Sequence, residues 1–507
     1  MSQKTLQQLL AALPGCRAEL NGVDPGRVEI GGITKDSRKV QPGHLFVAYA
    51  GIENDLHCFI PDAVGRGAAA VVCENDAWNG SGGVSQPVPR IIVPNGRLAF
   101  ALLCAEWQDH PSRSLVLVGV TGTDGKTTTS NLIFSMLGAA GLKSGIISTV
   151  NAVIGERVLD TGLHTTTPDA DEVQSYLAQM RDAGATHGVL EVTSHGLAQY
   201  RVDACAFDVA VVTNITHEHL DLHGSREAYR AAKARLFEMA PAAVLNADDA
   251  YSFEFLLAIP VERRIVYSLG GAPAPHGAIE VRAGRIQHQP GGMSVAVRTP
   301  RGEMEVTTTL VGEYNASNIL AAAGVATALD LPAESIQAGV AAMKGVPGRM
   351  ERIDLGQPFT AIVDFAHTPN ALDQCLRTLR PMTRGRLIAV FGCAGERDKL
   401  KRPLMGRIAA AYADEVVLTA EDPRREPLEA ILDDIQAGAA SPRGRVHRRP
   451  DRGEAIQFAC ELAAPGDVVV SCGKGHEQSM CFGTTETPWD DREAMRAAIR
   501  AAMIPGA

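Results

Sequence analysis

The stretch Val118-Gly119-Val120-Thr121-Gly122-Thr123-Asp124-Gly125-Lys126-Thr127-Thr128-Thr129 constrains this chain more than any other. The apolar run from Ser114 to Val120 reads as a buried strand. A glycine-bearing turn follows, then Lys126-Thr127, then Leu132, Ile133, Met136, Leu137 and Ala140 at helical spacing, with Gly141 suited to the helix end. Strand, glycine loop, Lys-Thr and helix form a phosphate cradle. Backbone N–H groups wrap the phosphates, Lys126 reaches the terminal ones, and Thr127 can bind Mg²⁺. The loop consensus wants glycine at 120, where Val120 stands between Gly119 and Gly122. A chance glycine turn would not require the strand and helix that flank this one. The expectation is therefore a nucleoside triphosphate, and the rest of the chain must say what it is used for.

A chain of 507 residues has room for three domains of about 150 residues each. A net charge of −10 argues against nonspecific nucleic-acid binding. No stretch is long and apolar enough to span a membrane, and Met1 to Leu13 lacks the pattern of a signal peptide. The ten cysteines are scattered with no Cys-x-x-Cys, which reads as reduced thiols and a cytoplasmic protein.

Before the loop, 45–48 and 69–72 read as strands, 78–89 as a Gly/Ser/Pro-rich loop and 110–112 as a linker. After it, strand candidates at 144–149, 188–192 and 209–212 alternate with helical segments, the pattern of a mostly parallel sheet. Segments between 278 and 310 look like hairpins beside that sheet. A third region starts near Val346-Pro347-Gly348. Its apolar runs 361–363, 387–391, 415–418 and 468–470 each end in a polar or glycine-rich tail. Ligands of open parallel sheets bind at the carboxyl ends of strands, so four such tails predict one shared site.

Several residues invite chemistry. Glu191 ends an apolar strand and is costly to bury unless paired; Mg²⁺ beside a triphosphate would pair it, and a strand-edge carboxylate is the alternative. His217, Glu218, His219, Asp221 and His223 cluster after Thr213-Asn214. Zinc, a Mg²⁺ ligand from His219 and a solvated loop all remain open, since His-Glu-x-x-His is absent and Mg²⁺ prefers oxygen. Lys233, in a helical run, reads from spacing alone as a surface lysine. Asn315 and Asn318 share a helix face; N-capping by Asn315 is one reading and adenine recognition by Asn318 the other.

In this order, these segments resemble the Mur ligases of peptidoglycan synthesis, and within them the tripeptide synthetases, over nearly the whole chain. The resemblance rests on Asp36-Ser37-Arg38-Lys39-Val40 with 43–46, on 121–128, Thr166-Thr167-Pro168-Asp169, 191–197 and 213–224. It continues through Pro347-Gly348-Arg349-Met350-Glu351, 364–369, 392–403 and 473–477. It implies an α/β protein of three domains. These are an N-terminal α/β uridine-nucleotide domain (1–112), a central P-loop ATPase domain with a mostly parallel sheet (113–345), and a C-terminal Rossmann-like α/β amino-acid-binding domain (346–507).

The resemblance also implies roles. Gly122, Thr123, Gly125, Lys126, Thr127, Thr128, Asn318, Arg349 and Asp364 would bind ATP. Thr127, Glu191, His219 and a carbamylated Lys233 would serve Mg²⁺, with Lys126, Lys233, Glu191 and His219 as the catalytic set. Ser37, Arg38, Thr166, Thr167, Thr193, Gln199 and Arg201 would bind a UDP-N-acetylmuramoyl dipeptide. Arg397, Asp422, Arg424, Gly473 and Glu477 would bind the incoming diamino acid. The implied reaction is ATP-dependent ligation through an acyl phosphate by a monomer that closes at hinges near His110-Pro111 and Val346-Pro347.

One departure bears on the amino acid. Diaminopimelate-adding members carry Asp-Asn-Pro-Arg where this chain has Glu421-Asp422-Pro423-Arg424. Arg424 fits a distal carboxylate and Glu477 a distal ammonium. Asp422 puts an anion where an amide is usual, which should repel that carboxylate. Meso-diaminopimelate stays first, with L-ornithine or L-lysine as the alternative. Folylpolyglutamate synthetases share the loop and the chemistry but lack a uridine domain. A non-catalytic nucleotide-binding partner is opposed by the intact Lys126, Glu191, His219 and Lys233.

Overall fold

The computed structural model describes residues 3–51, 54–74, 88–159, 166–216, 223–270, 273–289, 291–439 and 444–503. Among these residues three large sheets form, in chain order. The first has five strands in the spatial order Arg17–Glu19, Arg90–Val93, Ala70–Glu74, His44–Val47, Gly32–Thr34, parallel except for the Arg17–Glu19 edge. The strands expected at 45–48 and 69–72 are here. Most of the loop expected at 78–89 lies outside the described residues.

The second sheet contains the loop strand, Val116–Thr121, flanked by His187–Glu191 on one side and Val209–Val212 on the other, all parallel. Parallel pairing runs from Ser144–Ile147 through to Ile279–Gln289. The hairpins expected at 278–310 are the antiparallel strands Ile279–Gln289, Gly292–Thr299 and Gly302–Thr308, which extend this sheet rather than lie beside it.

The strands are covered on both faces, which is why they read as apolar runs. Val118, Val120 and Val211 pack under the helices Lys126–Ala139 and Glu313–Ala328, while Leu117, Leu190 and Val212 pack under Ala170–Asp182 and Arg226–Glu238. Val120 explains the irregular loop consensus. It is a fully buried strand residue paired to Glu191 and Val211, so the strand runs to Thr121 and the turn starts one step later.

The third sheet runs Glu351–Ile353, Thr360–Asp364, Val468–Cys472, Leu387–Phe391, Glu415–Leu418, Arg445–Arg448, parallel after its first strand. Its four apolar runs are adjacent and codirectional, so their polar tails leave from one edge. All ten cysteines are free thiols, and no helix among the described residues is long and apolar enough to cross a membrane.

Candidate functional site

The carboxyl ends of strands in all three sheets enclose one cavity of about 1230 Å³. Its wall gathers residues expected at the site from all three regions, Ser37, Lys126, Thr167, Asn318, Asp364 and Asp422 among them.

At the loop, Gly122 and Gly125 take φ of +148° and +83°. A Cβ at Gly122 would sit 1.8 Å from Thr213 Oγ1, and one at Gly125 2.4 Å from Asn318 Oδ1, so only glycine fits either position. The helix starting at Lys126 points its N-terminus into the cavity, with Thr123, Thr127 and Thr128 on the wall. Such a terminus offers unsatisfied N–H groups and a partial positive charge to phosphate. The Lys126 ammonium donates to Thr123 O at 2.7 Å.

Glu191 is buried at the end of its strand. Its Oε1 accepts from Thr127 Oγ1 (3.0 Å) and Thr149 Oγ1 (2.8 Å), and its Oε2 from the Thr149 N–H (3.0 Å). A buried carboxylate beside a hydroxyl on the cavity wall is a hard oxygen pair of the kind Mg²⁺ takes. His219 and the rest of 217–222 lie outside the described residues.

Lys233 corrects the reading from spacing: it is 1% exposed, not on the surface. It does not line the cavity but lies behind the loop, donating to Gly122 O at 2.6 Å over the Tyr229 ring. Gly122 likewise shapes the loop from behind the wall.

Asn315 is inside its helix and Gly312 takes the cap position, so the capping expected of Asn315 does not occur; its amide donates to Val311 O instead. Asn318 donates to Asn315 Oδ1 and accepts from Thr129 Oγ1, tying two helices together beside Gly125. Arg349 reaches across from the third region, its guanidinium 4.3 Å over Phe365 and 3.5 Å from Thr127 Oγ1. Asp364 accepts from the Met350 and Ala366 N–H groups; burial raises its carboxyl, against the pull of Arg349. Asn370 Nδ2 donates to Asp124 Oδ2 of the loop at 2.6 Å.

On the wall expected to meet the UDP-sugar substrate, Thr167 donates to Glu191 O and accepts from the Thr193 N–H, while Thr193 Oγ1 caps the helix Ser194–Ala198. Arg201 donates to Thr167 O and Gln199 Oε1 and pairs with Asp169. Thr166, Ser37 and Arg38 complete that wall, Arg38 held outward by Asp36. Lys35, which sequence reasoning missed, joins the first region to the second by pairing with Asp169.

The wall formed by the tails of the third sheet, where the amino acid is expected, overturns one expectation. Asp422 is not an open anion: it is 5% exposed, and both its oxygens lie 3.0 Å from the Lys474 ammonium. It also accepts from the Cys481 N–H, and Lys474 reaches Glu477 Oε2 at 2.5 Å. The repulsion expected of Asp422 is therefore offset by a buried cation. Glu421, also missed, is 6% exposed and lines the cavity, with Oε2 accepting no hydrogen bond among the described residues. Burial pushes its carboxyl up. A Cβ at Gly473 would meet that oxygen at 2.5 Å.

Glu396, Asp422 and Arg424 take positive φ of 55°, 41° and 53°, a strain of about 1–3 kcal/mol each that concentrates beside Arg397 and Arg424 on the wall. Behind the tails, Arg452 and Asp491 form a fully buried pair. The guanidinium donates to Ala420 O and Cys472 O, the residues just before Glu421 and Gly473.

Comparison with known proteins agrees with this geometry. Residues 120–326 match the Mur ligase middle domain, and 348–475 match the Mur ligase glutamate ligase domain. The chain is 46% identical to the UDP-N-acetylmuramyl-tripeptide synthetase of Roseiflexus sp. (strain RS-1), covering 94% of this chain and 95% of that protein. It is 40% identical to the UDP-N-acetylmuramoyl-L-alanyl-D-glutamate--2,6-diaminopimelate ligase of Geobacillus thermodenitrificans (strain NG80-2), covering 98% and 99%. A solved 2,6-diaminopimelate ligase of that same description superposes with a TM-score of 0.67 at 32% identity over 99% of both chains. The folylpolyglutamate synthase of Mycobacterium tuberculosis shares the fold at 20% identity and TM-score 0.61, over 74% of this chain. With its middle and ligase domains matched in sequence and its full length in structure, the chain belongs to the Mur ligase family.

Proposed function

We propose that this chain is a cytoplasmic, monomeric ATP-dependent ligase. It joins a diamino acid, meso-2,6-diaminopimelate first, to the γ-carboxylate of D-glutamate in UDP-N-acetylmuramoyl-L-alanyl-D-glutamate. The observation that carries this is the single cavity onto which the phosphate loop, the Ser37–Thr167–Arg201 wall and the Arg397–Asp422–Arg424 tails all open. A site for ATP alone would need only the first. Domains at 1–112, 113–345 and 346–507 belong to the same reading.

A carboxylate does not react with an amine in water, so it must first take a phosphoryl group and become an acyl phosphate. Lys126 and the N–H groups of the loop offset the negative charge that the carboxylate has to approach. Thr127 and Glu191 fit Mg²⁺ by their oxygen chemistry and would hold it, with His219 and a carbamylated Lys233 as further members. Bound there, the ion would neutralise phosphate charge. The amine then attacks the acyl carbon and inorganic phosphate leaves.

Water would hydrolyse the acyl phosphate. Arg349 on Thr127 and Asn370 on Asp124 hold the third region against the loop, which is the arrangement a water-excluding closure needs. Arg424 suits a distal carboxylate. Glu421 and Glu477 suit an ammonium, which keeps L-ornithine or L-lysine as the second reading. The test is phosphate release with UDP-N-acetylmuramoyl-L-alanyl-D-glutamate and each amino acid in turn. Release stimulated by diaminopimelate supports the proposal; release stimulated by no amino acid refutes it.

A further inference from the structure

Lys474 is 0% exposed and does not reach the cavity, yet both acids it binds do. It follows the strand Val468–Cys472, and Asp422 follows Glu415–Leu418, two strands separated by Leu387–Phe391. The ammonium spans that gap with two contacts to Asp422 at 3.0 Å and one to Glu477 at 2.5 Å. Three donors meet three acceptor oxygens, which uses the ammonium completely. Burial alone would push a lysine toward neutrality. Here the two carboxylates more than offset that and keep it charged.

The formal charge of this corner follows. Asp422, Glu477 and Glu421 contribute three negatives, and Arg397 and Arg424 on the wall with Lys474 behind it contribute three positives. A corner that sums to zero accepts a side chain carrying both an ammonium and a carboxylate. Without Lys474 the corner is anionic, which favours a side chain carrying an ammonium alone.

We infer that Lys474 is the positioning residue that selects the amino acid, by holding Asp422 and Glu477 and cancelling part of their charge from behind the wall. This rests on the ligase reading above and adds to it the residue that sets substrate class.

The experiment measures kcat/KM for meso-diaminopimelate and for L-lysine, with the dipeptide and ATP saturating, and compares their ratio between variants. Lys474→Met should move the ratio toward lysine by at least about tenfold, the scale of one unit charge a few ångströms away at intermediate dielectric. Asp422→Asn leaves the opposite surplus and should move it toward diaminopimelate. The double variant Asp422→Asn/Lys474→Met restores the balance and should return the ratio to within about threefold of wild type. A purely structural role would lower both substrates alike. Ratios unchanged in both single variants, or shifted the same way in both, would overturn the inference. If Lys474→Met does not fold, the direction of the Asp422→Asn shift decides, since no shift or a shift toward lysine contradicts the charge balance. A wild-type enzyme that turns over neither amino acid would instead refute the ligase reading itself.

Discussion

Replacing Arg452 by methionine should unlock the amino-acid end from behind. The guanidinium is fully buried and makes bonds of 2.7 and 2.6 Å to Asp491, 3.2 Å to Ser471 Oγ, 3.1 Å to Ala420 O and 2.8 Å to Cys472 O. Methionine fills much of the volume and removes every donor. Asp491 keeps Ser471 and Trp489 as donors but loses its counter-ion. Breaking a buried pair from one side costs about 3–5 kcal/mol. At about 2–4 °C per kcal/mol for a folding unit of 150–250 residues, the melting temperature should fall by roughly 6–20 °C.

Circular dichroism melts measure this directly, and Arg452→Met/Asp491→Leu should recover most of the loss because no buried charge is left alone. Kinetics add a second arm. The carbonyls released precede Glu421 and Gly473, so the KM for the amino acid should rise while that for ATP stays within about twofold. A single variant that melts within about 2 °C of wild type would refute the reasoning, as would equal rises in both KM values.

Gly125→Ala forces a Cβ into Asn318 and a side chain into positive φ, so ADP affinity by calorimetry should fall at least about tenfold; retention within threefold would contradict the cradle. Burial, aided by the charge of Arg349, pushes His476 down to about 3, so the fold favours its neutral form. The unfolded chain gains that proton near pH 6.5, so this contribution is complete above 6.5 and is lost as pH falls toward 3. His476→Gln should therefore lose less melting temperature than wild type between pH 7.5 and 5, and an equal loss would count against it. If Lys233 works as a carbamate, turnover should drop after dialysis at pH 5.5 in CO₂-free buffer and return with bicarbonate. Indifference to bicarbonate would leave it an ammonium on Gly122 O.

The nucleotide loop was legible because every part of it is local. Strand, turn and helix lie within 116–139, and each announces itself by period or by glycine. The four tails of the third sheet were legible for a similar reason, since parallel strands must release their carboxyl ends on one edge. The position of Lys233 was also present and went unread. Tyr229, Lys233, Leu236 and Phe237 fall on one helical face, and that face is buried, so an all-apolar stripe interrupted by lysine was the signal.

What was not legible is what pairs with what across the chain. Asp422 and Lys474 are 52 residues apart, in the tails of non-adjacent strands, and Arg452 and Asp491 39 apart. A single sequence carries the charges but not their partners. Asp422 alone looks repulsive; with Lys474, which it shares with Glu477, part of its charge is cancelled from behind. Glu421 was passed over for the same reason, because its significance lies in what it lacks among the groups folded around it.

The central claim is that one cleft activates a carboxylate with ATP and hands it to an amine. The most direct measurement uses dipeptide substrate labelled with ¹⁸O in the γ-carboxylate of its D-glutamate. Activation by phosphoryl transfer predicts one ¹⁸O in the inorganic phosphate for each new amide bond, read by mass spectrometry, and only when the amino acid is present at turnover levels. Amide product formed with unlabelled phosphate would contradict the account.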